Sequence, residues 1–217
     1  MATEVSPQGV EGFDDALYEE QCQISSMWTS SRLLVVLSLF LYGAFTFTYF
    51  YLRALDNNND WRVGNQHAST LIGVMVTACL IGSALLHYMS ARRLQVGMKF
   101  DYLVGAGLSL GLVATACGLQ IWQLTRLPFQ PASSGYTSVF IAWMPIYIVY
   151  MLGQIYWLET ILAQAIVRPW SAFRPTTDPD LPPVVPRFGA NVEGYILFSE
   201  FMGAMALLIM ILFYAIP

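Results

Sequence analysis

Charge is scarce in this chain: Asp, Glu, Lys and Arg make up 11% of its 217 residues, against 56% hydrophobic. That balance excludes an ordinary soluble globular domain. Histidine occurs only as His67 and His87, and a single helix running between them would hold them roughly 30 Å apart, so they cannot share a haem iron or a metal ion. The three cysteines, Cys22, Cys79 and Cys117, show neither a CxxC nor a metal-type spacing and read as small packing residues. No serine or cysteine nucleophile, metalloprotease or nucleotide signature occurs. The glycines between Asp101 and Gln123 lack the preceding strand that a dinucleotide site requires. No catalytic residue, metal or cofactor of the chain's own is therefore expected. Basic residues are missing before Arg32, while Glu4, Glu11, Asp14, Asp15, Glu19 and Glu20 crowd that stretch. This argues against a nucleic-acid partner and against a secretory signal peptide, which needs a basic start.

What the chain has in abundance is long apolar runs. Five are long enough to cross a bilayer, at about 32–55, 68–92, 101–123, 137–167 and 192–216. The expected fold is an all-α integral membrane bundle of five transmembrane helices over 32–217. It is preceded by an acidic segment, 1–31, that is either a partly ordered tail or a docking segment for a partner. Residues 168–190 hold six prolines between Pro169 and Pro186, which fix φ and remove donors, so this linker is expected to be extended. With the amino terminus in the cytoplasm, seven of the ten basic residues (Arg32, Arg92, Arg93, Lys99, Arg168, Arg174 and Arg187) fall on the cytoplasmic side. Arg53, Arg62 and Arg126 fall outside. The positive-inside rule then places the carboxyl terminus outside.

In the third run, Gly107, Gly111, Ala114 and Gly118 recur at helical spacing, so one face is nearly bare backbone. Helices in lipid associate where small residues let backbones approach, which predicts that this helix is the centre of the bundle. Gly73 to Thr77 and Ala78 to Gly82 repeat the device in the second run. Two carboxylates, Glu159 and Glu200, lie inside apolar sequence. An ionised, unpaired carboxylate there is costly, so each is expected to be protonated, paired, snorkelling or facing a polar or lipid-filled cleft. His87, near the end of the second run, reads as an interfacial residue, and it joins the two acids as a proton or lipid-cleft candidate. Gln120 and Gln123 close the third run. Tyr147, Tyr150 and Gln154 repeat at three and four in the next, so phenols and amides are expected to meet another helix or another subunit.

Several stretches together resemble subunit III of the haem-copper respiratory oxidases, which take electrons from cytochrome c or quinol. They are Gly-Leu-Gln-Ile-Trp-Gln from Gly118 to Gln123, Leu-Pro-Phe from Leu127, Ser-Ser-Gly-Tyr-Thr-Ser-Val-Phe from Ser133 to Phe140, Gly153, and Phe-Thr-Tyr-Phe-Tyr-Leu-Arg from Phe47 to Arg53. The likeness spreads over some two thirds of the chain and agrees in order. Tyr147 and Tyr150 stand where that family has two histidines three apart, and Gln123 stands where it has an acid. Ser-Leu-Phe-Leu-Tyr-Gly from Ser38 replaces a Ser-Glu pair, and the last run lacks the family's histidine. The resemblance implies a divergent five-helix form without the family's first two helices. It would be a non-catalytic accessory subunit supporting assembly, lipid binding and sustained proton uptake, in the inner membrane of a bacterium. It implies bound phospholipid on this chain, haem and copper in partner chains, and the catalytic subunit I with subunit II as partners. Two further readings are a small transporter using Glu159 and Glu200 as a proton relay, and a scaffold subunit of another membrane complex.

Overall fold

The computed structural model describes residues 8–56, 61, 67–173 and 186–215, and among these there is no strand. Five long helices, α1 (Gln8–Ala54), α2 (Thr70–Gln95), α3 (Lys99–Thr125), α4 (Gly135–Val167) and α5 (Pro186–Met210), are joined by a 3-10 turn at Trp170–Phe173, and a π turn, Ile211–Ala215, closes the last. All five are long and apolar enough to cross a membrane, and the chain is an integral membrane protein of the all-α class. The helix ends lie within three residues of the expected boundaries except at α1, which begins at Gln8 rather than near Arg32, and at α5, which begins at Pro186 rather than near Val192. The acidic stretch is therefore not a separate tail from Gln8 onward: it continues the first span as one helix of 47 residues. Residues 174–185, most of the proline-rich linker, lie outside the described residues, as do Met1 to Pro7 and Arg62. Within the linker, Trp170–Phe173 is a helical turn, and α5 begins at Pro186, where a proline at the first helical position costs no hydrogen bond.

The helices form a closed ring. α2 packs most extensively on α3, α3 also on α4, α2 also on α5, and α1 lies against α5 and, to a lesser extent, α4. The expectation that α3 is the centre is not met. Half of the most apolar window of α5 and 44% of that of α4 are buried, against 33% for α3 and 17% for α1. Small residues do mediate the tightest approaches, but at other positions. A Cβ at Gly105 would overlap Ser90 Oγ, and one at Gly194 would overlap Ser31 Oγ. Gly73 is covered by the Tyr214 ring, and Thr77 donates to the Ala206 carbonyl at 3.4 Å, so the first half of the small-residue device of α2 seats α5; in the second half Ala78 is exposed and Gly82 faces Leu112 of α3.

The turn between α2 and α3 has a definite cause. Gly97 sits at φ 84°, where L side chains are strained, and its N–H donates to Leu94 O while that of Met98 donates to Arg93 O. This pair of bonds is the Schellman ending of a helix. At the same end of the bundle, called here the turn end, Lys99 is 2% exposed and caps α4. Its Nζ donates to the Arg168 carbonyl at 2.6 Å and the Ile166 carbonyl at 3.4 Å, and stands over the Trp170 and Phe173 rings. These carbonyls end a helix and have no intrahelical donor, and the negative end of the dipole favours a cation. Lys99→Met keeps the stem and removes both bonds and the charge. It is expected to cost about 2 kcal/mol, read as a lower thermal midpoint of the chain in detergent; an unchanged midpoint would mean the cap contributes nothing.

The opposite end, called here the loop end, is aromatic. Ser134 caps α4 with a reciprocal pair, Thr137 N to Ser134 Oγ at 3.2 Å and Ser134 N to Thr137 Oγ1 at 2.9 Å. Tyr136 N donates to the Trp61 carbonyl at 3.0 Å. The Tyr49 hydroxyl donates to Leu212 O at 2.7 Å and the Tyr136 hydroxyl to Phe213 O at 3.2 Å. Carbonyls at a helix end need external donors, and two tyrosines from other helices supply them.

Candidate functional site

Three surfaces or clusters collect the residues that the sequence singled out. The first is the stripe of small residues on α3. Gly107, Gly111, Ala114 and Gly118 are all exposed, and a Cβ at any of the three glycines would meet nothing within 4 Å. The side of α3 that packs within the bundle is the other one, carrying Ala106, Ser109, Val113, Ala116, Cys117, Gln120 and Gln123. There Ser83 of α2 and Ser109 exchange hydrogen bonds: each hydroxyl donates to the other's carbonyl, at 3.1 and 3.0 Å, with the two oxygens 2.7 Å apart. The expectation that the glycine stripe packs the bundle is thus corrected. Among the described residues it packs on nothing, because Gly105 and the serine pair already set the α2–α3 approach from the opposite face.

The second is a surface groove of about 330 Å³ between α1, α2 and α5, lined by Trp28, Tyr88, Ala91, Arg92, Gln95, Glu193, Ile196, Leu197 and Glu200. Glu193 and Glu200 are exposed and seven residues apart on α5, which places them on one face of that helix. The Arg92 guanidinium stands 5.1 Å over the Tyr88 ring. Two carboxylates, one guanidinium and two aromatic rings share this groove. Glu159 is also exposed, on α4, but does not line it.

The third is the interior. Gln120 and Gln123 are buried and bonded within the chain. Gln120 Nε2 donates to Gln123 Oε1 at 3.2 Å and lies 3.2 Å from the Met144 sulfur, Gln123 Nε2 donates to Ser69 O at 3.1 Å, and the Tyr214 hydroxyl donates to Gln123 Oε1 at 2.9 Å. Tyr147 is fully buried, and Tyr150 is half-buried with its ring edge-on to Tyr42 at 5.5 Å. These four residues serve helix–helix contact inside the chain. His87 overturns the interfacial expectation. It is 0% exposed and enclosed by the Tyr195 ring at 4.6 Å and the Tyr102 ring at 6.0 Å. Its neighbours in sequence, Tyr88 and Arg92, do face outward, but His87 lies on the other side of α2, where α3 and α5 cover it.

Ser83, Ser109, Lys99 and Tyr214 carry structural bonds that sequence reasoning passed over. The available signal was two serines and a lysine inside or beside apolar runs, polar groups that must find partners in such surroundings. Among the described residues there is no group of three or more His, Cys, Asp or Glu that could hold a metal ion, and Cys22, Cys79 and Cys117 are free thiols. No protein-family model matches the chain, and no curated protein matches it.

Proposed function

We propose that this chain is a non-catalytic, subunit III-like component of a haem-copper terminal oxidase, set with its amino terminus in the cytoplasm. The observation that carries the reading is the outward stripe of Gly107, Gly111, Ala114 and Gly118. Lipid tails gain nothing from bare backbone, whereas a helix of another chain can approach it closely. Such a stripe, on a bundle that has already satisfied its own packing elsewhere, favours a chain that works as a subunit. The resemblance of 47–53, 118–123 and 133–140 to the oxidase subunit supplies the kind of partner, a catalytic subunit I with subunit II. Electron transfer, oxygen reduction, haem and copper belong to those partners.

Glu159 and Glu200 both face outward, which disfavours the proton-relay transporter, since a relay needs its carboxylates in the interior or in a water-filled cavity. The α1–α2–α5 groove suits a zwitterionic phospholipid headgroup, with Arg92 toward the phosphate and Glu193 and Glu200 toward the ammonium. Arg92→Gln is expected to lower the phospholipid retained per chain at least twofold in lipid mass analysis of the purified protein. Equal retention would remove the groove as a lipid site.

The reading is tested by purifying the tagged chain from its native membrane in mild detergent. Haem-bearing chains in fixed stoichiometry are expected, seen as a Soret band; recovery of the chain free of haem, or with partners of another kind, would refute the oxidase assignment and leave a scaffold role elsewhere. Gly111→Leu and Gly118→Leu are expected to leave the bundle folded and to cut the co-purifying haem by tenfold or more. Wild-type yield of the complex from both variants would show that the stripe seats no partner.

A further inference from the structure

In the half of the bundle nearer the turn end, four buried side chains carry six polar atoms with no hydrogen-bond partner among the described residues: both ring nitrogens of His87, the phenol oxygens of Tyr102 and Tyr195, and both amide atoms of Gln154; Arg168 Nη1 is a further such atom at that end. All four residues are 0% exposed, and they come from four different helices, α2, α3, α5 and α4. Ring contacts hold them together, with His87 at 4.6 Å from Tyr195 and 6.0 Å from Tyr102, each near edge-on. The Gln154 amide lies beside the Tyr195 phenol, outside good hydrogen-bond geometry. A bare orphan in an apolar interior is as destabilising as a lost hydrogen bond or more, and here such groups converge from four directions on one place.

The chemistry of the set defines what would satisfy it. A neutral imidazole offers one donor and one acceptor, each phenol offers both, and the carboxamide offers two donors and an acceptor. None of the six atoms pairs with another of the set within hydrogen-bond geometry. A ligand here must both donate and accept. Water meets these terms, and buried water typically makes about three hydrogen bonds to polar groups of this kind. We propose that His87, Tyr102, Gln154 and Tyr195 form an internal hydration site, binding ordered water between the four helices. The groove between α1, α2 and α5 is the nearest described surface by sequence, since Ala91, one helical turn from His87, and Ile196, adjacent to Tyr195, both line it. The proposal is independent of the oxidase reading and of what the groove binds.

The test uses the full chain in lipid bilayers with 15N-labelled histidine. Only His67 and His87 contribute, and a His67→Gln variant leaves His87 alone, or a His87→Gln variant assigns it by subtraction. Solid-state NMR is expected to show both imidazole nitrogens in hydrogen-bonded positions, with cross-peaks to water protons that vanish after equilibration in D2O. Nitrogens free of hydrogen bonds, or cross-peaks only to tyrosine and glutamine protons, would overturn the site. Tyr102→Phe gives an independent sign test. Removing one of the water's partners is expected to lower the thermal midpoint of the chain in detergent by about 2–4 °C, whereas a dry cluster would hold or gain stability on losing an orphan hydroxyl.

Discussion

Gly105→Leu is expected to abolish recovery of the folded chain. Even a methyl group at this position overlaps Ser90 Oγ, with the Ser90 Cβ 3.0 Å from the new carbon. Ser90 cannot simply swing aside, because its hydroxyl donates to the Leu86 carbonyl at 2.5 Å. A leucine must therefore push α3 off α2, across the most extensive helix pair in the bundle. The displacement also parts Ser83 from Ser109, whose reciprocal bonds tolerate little more than the 3.0 and 3.1 Å they span. Overpacking together with the loss of two buried hydrogen bonds comes to about 3–5 kcal/mol, comparable with the whole stability margin of a typical domain. The measurement is the yield of monodisperse chain after detergent extraction. Gly111→Leu, on the exposed face of the same helix, serves as the control and is expected to extract normally. Equal yields from the two variants would mean that the α2–α3 approach is not as close as described.

Trp143→Ala is expected to lower the thermal midpoint by about 10 °C. The indole is fully buried, stacked on Phe45 at 5.2 Å, tilted against Tyr42 at 5.9 Å and edge-on to Phe213 at 5.5 Å. It joins α4 to α1 and to the π turn that ends α5. Truncating a buried Trp to Ala costs about 3–5 kcal/mol through lost contacts and the void left behind, and for a chain of this size each kcal/mol moves the midpoint by about 2–4 °C. Trp143→Phe retains most of the stacking and is expected to lose less than half as much. A fall below about 2 °C for the alanine variant would show that α1 and α4 are held together elsewhere.

The existence and order of the five spans were legible because a bilayer demands about 20 apolar residues per crossing, and nothing else in this sequence competes with that signal. The faces of those spans were not legible, and the α3 stripe shows why. In water an apolar face points inward, so periodicity gives direction. In lipid both faces of a helix are apolar, and Gly107 or Gly118 reads the same whether it meets a sister helix or another chain. Gly105, which does make the close approach, stands outside the periodic stripe, and the pairing that selects it depends on Ser90 far along α2. His87 was misplaced for a related reason. Its distance from the helix end and its neighbours Tyr88 and Arg92 are local features, whereas its burial depends on Tyr195, a residue of α5 that no spacing rule connects to it. The start of α1 is not legible from hydropathy, because acidic residues are no bar to a helix and hydrophobicity falls away near Arg32 while the helix continues back to Gln8.

The continuity of α1 has an electrostatic consequence. Its last groove-lining residue is Trp28, so the helix from there back to Gln8 reaches about 30 Å further at 1.5 Å per residue. Salt at physiological strength damps a charge over about 8 Å. The backbone of positions 11 to 15 lies about 20–25 Å along the axis from Trp28, between two and three such screening lengths. A charge carried that far along the helix is screened from Arg92, Glu193 and Glu200, so substitutions in the first turns of α1 leave the electrostatics of the groove unchanged.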